Sequence, residues 1–168
     1  MKARPWLVLL MLAASCGKDQ PRRVVNDNLG IAATFPGEAR LSKREEDTPY
    51  GRMQWFDTAF VPTGRLNESF HIAVGNLPKG SQGGTTPGEV LATFKRWLDA
   101  QLGPVQKTSL APDKGPGFHY SRAYPARWTE GIVVVRQGRL YHAQASVKNP
   151  ADLRVKTFLD GFEVKQGP

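Results

Sequence analysis

Cys16 is the only cysteine of the 168-residue chain, and it stands directly after the small residues Ala13-Ala14-Ser15. A lone thiol excludes a disulfide framework and every multi-cysteine metal site, which leaves modification of the sulfur itself as the chemistry open to it. The three histidines, His71, His119 and His142, fall on three separate expected strands, so no helical i, i+4 ligand pair exists. Few acidic residues flank them, and a metal cluster across the sheet is not expected. Ser109, Ser121 and Ser146 have no glycine-flanked elbow, and neither a P-loop nor a dinucleotide fingerprint is present. Gly80-Ser81-Gln82-Gly83-Gly84 lacks both a leading strand and a Lys-Ser/Thr ending, so it reads as a loop rather than a phosphate cradle. Glu45, Glu46 and Asp47 sit beside Lys43 and Arg44 as a solvated mixed-charge run, without the spaced oxygens that calcium requires. No catalytic residue, cofactor or metal site is therefore expected.

The elements that would position these groups follow from hydrophobic periodicity and punctuation. A hydrophobic fraction of 40% with 10% aromatic residues suits one domain with a sizeable core and excludes a disordered chain. Ile31 to Phe35 reads as a strand stopped by Pro36-Gly37, and Arg40 to Glu46 as an edge strand at best. Arg52 to Val61 and Ser69 to Leu77, separated by Pro62-Thr63-Gly64, read as an antiparallel pair. Thr86-Pro87-Gly88-Glu89 is a capping box with proline at the first helical position, and Val90, Leu91, Phe94, Trp97, Leu98 and Leu102 recur at helical spacing before Gly103-Pro104. After a loop through Pro112 and Gly117, Phe118 to Tyr124, Gly131 to Arg136 and Arg139 to Val147 read as successive strands, the last two joined by a Gln137-Gly138 turn. Asn149-Pro150-Ala151-Asp152 is expected to launch a second helix with Leu153, Phe158 and Leu159 inward, ended by Gly161 before a short strand, Phe162 to Val164. Strands in runs with two segregated helices give an α+β class.

The first sixteen residues, MKARPWLVLLMLAASC, carry a basic start, a short apolar run and small residues, the pattern of a secretory signal too short to span a bilayer. Ala13-Ala14-Ser15-Cys16 resembles the lipobox of bacterial lipoproteins, although an aliphatic residue is commoner where Ala13 stands. The resemblance implies cleavage after residue 15 and acylation of Cys16, which anchors the chain in a membrane. It further implies a place in the bacterial cell envelope, and Gly17, not being an acidic retention signal, directs the expectation to the outer membrane, facing the periplasm or the cell surface. The expected division is a cleaved signal over 1–15, a lipidated tether over 16–30 (GKDQPRRVVNDNLG after the cysteine) and one domain over 31–168.

PGEVLATFKRW after a helix cap, a hairpin ending RLYHAQASV and a terminal FLDGFEV, with FPGEA near the start, resemble in this order the PsbP-like fold, over roughly Ile31 to Val164. That superfamily includes the extrinsic photosystem II protein and many small exported bacterial proteins. The resemblance implies an antiparallel sheet sandwiched by helices and a binding or assembly module rather than an enzyme. It carries over no site residue, since the fold hosts unrelated functions.

Charge gives the remaining clue. From Cys16 to Asn76 basic and acidic residues balance at 8 each, whereas Leu77 to Pro168 holds 13 basic and 7 acidic, so the excess lies in the second part. Arg122, Arg127, Arg136 and Arg139, interleaved with aromatics including Tyr141, are expected to form a basic binding surface. An exported address argues against nucleic acid and for anionic lipid, cell-wall polymer or an acidic envelope protein as partner. The competing class is an envelope enzyme with a site assembled around the strand histidines, from residues such as His119, Tyr120 and Arg122. The two classes part on whether a pocket joins a histidine or carboxylate to a second polar group within hydrogen-bond reach.

Overall fold

A computed structural model describes residues 20–65, 67–78, 86–111 and 114–165. Cys16, the signal segment and the Gly80–Gly84 loop lie outside the described residues. The strands are β1 (Arg22–Asn26), β2 (Ile31–Phe35), β3 (Arg40–Thr48), β4 (Gly51–Phe60), β5 (Ser69–Asn76), β6 (Gln106–Ser109), β7 (Gly117–Tyr124), β8 (Arg127–Arg136), β9 (Arg139–Val147) and β10 (Glu163–Val164). The helices are α1 (Pro87–Leu102) and α2 (Leu153–Asp160). Seven strands form one antiparallel sheet in the order β3-β4-β5-β9-β8-β7-β6, and β1-β2-β10 form a second.

Strand periodicity divides the large sheet's side chains between two cores. Met53, Trp55, Ala73, Phe118, Tyr120, Val133, Val135 and Leu140 pack under Val90, Leu91, Phe94 and Leu98 of α1. Phe60, Phe70, Ile72, Val74, Ile132, Val134 and the alternate residues Tyr141, Ala143, Ala145 and Val147 face Val155, Phe158 and Leu159 of α2 together with Ile31, Ala33 and Phe35 of β2. The second layer is thus a helix and a small sheet side by side, so the expected sandwich by helices holds only on the α1 face. Ile132 to Val135 are all buried, because the strand is covered on both sides as its continuous apolar run implied.

The expected tether needs correction. Arg22–Asn26 is a strand paired with β2 in the register Arg22↔Phe35 to Asn26↔Ile31, so the fold takes in these residues, which were expected as tether. Only Val24 of its five residues turns toward the core; Arg23 pairs with Glu163, and Lys165 with Asp27 just beyond the strand. Such a strand is specified by its neighbours more than by its own composition. The same holds for β6, an exposed edge strand to which the sequence pattern assigns no element.

Local rules account for the chain reversals. Gln137 and Gly138 both have positive φ, 50° and 72°, as the two-residue type I′ hairpin between β8 and β9 requires. The capping box of α1 forms as read: the Thr86 amide donates to Glu89 Oε2 (2.7 Å), and Glu89 N–H donates to Thr86 Oγ1 (3.3 Å). Thr86→Ala is expected to cost about 1 kcal/mol, read as a lowered urea midpoint at unchanged slope. The start of α2 differs from expectation. Asn149 Oδ1 accepts from the Ala151 amide, so Asn149-Pro150 is spent in a turn and Asp152 caps the helix by accepting from Arg154 N–H. The shift carries Leu153 to the outside, where it is 76% exposed rather than inward.

Candidate functional site

Two constellations gather the chain's chemistry, one on each face of the large sheet. On the α1 face, β3, β4, β5, β7 and β9 present Arg44, Asp57, His71, Tyr120, His142 and Gln144. Arg44 lies over the Trp55 ring at 5.3 Å, donates to Asp57 (2.9 Å) and pairs with Glu46. His71 and His142 meet edge to face with ring centres 5.6 Å apart, and Phe94 of α1 closes on His142 at 5.5 Å. Tyr120 Oη donates to Gln144 Oε1 (2.8 Å), so its oxygen accepts from His142 Nε2–H (2.7 Å), which fixes the imidazole tautomer.

Burial disfavours the charged forms of the two histidines and of Tyr120. Desolvation, reinforced by Arg44, lowers His71 to about 4, and desolvation with the charges of His71 and Arg44 takes His142 well below the ordinary imidazole range. Burial raises the Tyr120 hydroxyl well above its usual value and also raises the Asp57 carboxyl, against which Arg44 acts. Tyr120 hydrogen-bonds both the His142 imidazole and the Gln144 amide inside an apolar core, and His71 joins them through its ring contact with His142. The arrangement fixes the packing of α1 on the sheet.

On the opposite face His119 Nε2 lies 2.8 Å from Glu130 Oε1, His119 Nδ1 lies 3.3 Å from Thr108 Oγ1, and Trp128 Nε1 donates to Glu130 Oε2 (3.0 Å). The hydrogen bond from His119 holds the Glu130 carboxylate below its usual range. The pair opens onto a groove of about 350 Å³ bounded by Asp152, Lys156 and Asp160 of the α2 segment. A histidine and a carboxylate thus do meet at a groove. Tyr120 and Arg122 do not join them: Tyr120 points into the α1 face, and Arg122 reaches the end of α1. Period-2 alternation already separates His119 from Tyr120, a signal legible in the sequence. Among the described residues, no group of three His, Cys, Asp or Glu is placed to hold a metal ion.

The expected basic surface is not one patch. Arg122 Nη1 donates to Pro104 O (2.5 Å) and Tyr124 Oη to Leu102 O (2.8 Å), both satisfying carbonyls at the end of α1. Arg127 stacks over Tyr124 at 4.6 Å. Arg136 and Arg139 lie at the other end of the same strands, opposite one another at the hairpin, and donate to Val164 O (3.2 Å) and Asn28 O (3.1 Å). Arg136 stands nine positions along β8 from Arg127, roughly 30 Å at the usual strand rise. Tyr141 is 2% exposed and belongs to the core, because its position on β9 faces β2 and α2.

No family profile matches the sequence, and no curated protein matches it. Among solved structures, the chain is similar to the solution structure of cyanobacterial PsbP (CyanoP) from Synechocystis sp. PCC 6803. The TM-score is 0.53 and the identity 14%, over 92% of this chain and 98% of that one. The fold is PsbP-like.

Proposed function

We propose that the chain is a lipid-anchored, non-enzymatic binding or assembly module of the bacterial cell envelope. The observation that carries this reading is the lone Cys16 directly after Ala13-Ala14-Ser15, five residues ahead of Pro21, which directly precedes β1. Five residues span at most about 18 Å, so an acylated Cys16 would keep the domain against the bilayer that holds it. The PsbP-like fold supports the module, and the α1-face histidines support it too, since both are occupied in packing. An envelope protein or an anionic polymer is the partner class, and the outer membrane the proposed location.

Cys16→Ala is expected to move the protein from the membrane pellet to the soluble exported fraction, with loss of the acyl mass from the intact chain. Unchanged fractionation together with an unacylated wild-type mass would overturn the anchor. A second reading, an envelope enzyme, has the His119–Glu130 pair at its groove in its favour. On that reading His119→Gln abolishes an activity while leaving stability nearly unchanged; on ours it alters neither partner capture nor fractionation.

A further inference from the structure

The strand registers collect one set of residues at a single end of the molecule. Arg22 opposite Phe35, Phe60 opposite Phe70, Ser69 opposite Ser146, Trp128 opposite Val147 and Arg127 opposite Tyr124 are the ladder ends there. Pro21, Phe35, Pro36 and Leu153 surround one small apolar hollow of about 130 Å³ at this end, so the first described residues and the start of α2 share it. Two of the large hydrophobic side chains that reach solvent stand here, Leu153 and, 64% exposed, Val61. Around them Arg22, Arg40 and Lys148 are exposed with no acidic partner among the described residues, and Arg127 lies on Tyr124. The acidic Glu68 and Asp152 are both engaged by Arg154, which leaves Glu38 as the exposed carboxylate.

Cationic side chains around isolated apolar tips are the composition of a surface that rests on anionic headgroups and dips side chains among them. We propose that this end, marked by Pro21, Val61, Arg127, Lys148 and Leu153, lies against an anionic bilayer, and that the β8–β9 hairpin with Arg136 and Arg139 points away from it. The assignment rests on the anchor reading for its proximity to lipid, since Cys16 is five residues from Pro21. Charge complementarity and the exposed apolar tips support it independently.

The test uses the full lipidated chain in vesicles of phosphatidylcholine with phosphatidylglycerol, carrying a fluorophore on Leu153→Cys or, at the opposite end, on Asn28→Cys. Quenching by lipids with brominated acyl chains is expected to be several-fold stronger at position 153 than at 28. Arg127→Glu with Lys148→Glu is expected to bring the signal at 153 down toward the signal at 28, while the acyl chains keep the protein on the vesicles. Equal quenching at both positions, or stronger quenching at 28, overturns the proposal. Intact mass separates this from the anchor. If Cys16 is bare, the anchor reading fails, and the labelled chain is then mixed with the same vesicles at low salt. Salt-sensitive adsorption with position 153 quenched sustains the surface, and absence of adsorption overturns it.

Discussion

Acidification from pH 7 to about pH 4 is expected to remove several kcal/mol of stability, most of it above the range where carboxylates titrate. His71 and His142 have folded-state pKa values below the unfolded value near 6.5, through burial first and the Arg44 charge second. The unfolded chain therefore binds protons that the folded chain refuses. The histidine contribution is fully present above pH 6.5 and is lost as pH falls from there toward 4, where His71 itself titrates. Each histidine gives a slope of at most about 1.4 kcal/mol per pH unit, and His71 alone sums to roughly 3 kcal/mol across the window. Against a typical total of about 5 to 15 kcal/mol, the pair is decisive. The other groups on that face do not cancel the effect. Asp57, raised by burial, acts in the opposite sense, but only in the lower part of the window. Glu130 and Asp152 are lowered by His119 and Arg154, and their support is lost only from the ordinary carboxylate range downward, at the foot of the histidine window. Urea midpoints at pH 7, 5.5 and 4.5 are expected to fall steeply in the wild type and to flatten in a His71→Gln, His142→Gln double variant. Equal wild-type midpoints at pH 7 and 4.5 would refute the assignment of both histidines as buried and neutral.

That network shows where sequence reading stops. Three histidines on three strands were legible, and so was the alternation that sets His119 on one face and His142 on the other. Which strands become neighbours was not. Ser69 of β5 pairs with Ser146 of β9 across 77 positions of chain, and only the register of the two strands brings His71 against His142. The elements that carry their own punctuation read well: the Thr86-to-Glu89 box, the Gln137-Gly138 turn, the apolar run of β8. Those that borrow order from a partner, β1 and β6, did not. The arginine surface failed for a similar reason. Arg127 and Arg136 are close in a list of residues but at opposite ends of one extended strand, while Tyr141 follows Leu140 into the core because both faces of β9 are covered.

Arg154→Leu is expected to cost about 2 to 4 kcal/mol, within and slightly below the range for removing one member of a buried pair because the arginine is 30% exposed. Its Nη2 donates to Glu68 Oε2 (2.7 Å) and to Asp152 Oδ2 (2.5 Å), while the guanidinium lies over the Phe70 ring at 5.6 Å. One side chain thereby ties the cap of α2 to the β4–β5 connection and to the core. Without it, Glu68, 7% exposed, keeps only Arg65 at 3.3 Å, whose own side chain is half in water. The cost comes from a stranded carboxylate, so Glu68→Gln added to Arg154→Leu is expected to recover about half of the loss. A double variant no more stable than the single one would place the loss in the packing of the arginine stem instead. The same contact fixes where Leu153 stands, next in sequence to Arg154 and at the end of the molecule assigned to the bilayer. Loosening it is therefore expected to weaken quenching of a label at position 153 even at temperatures where the fold persists, because the tip is positioned by this ion pair rather than by burial of its own.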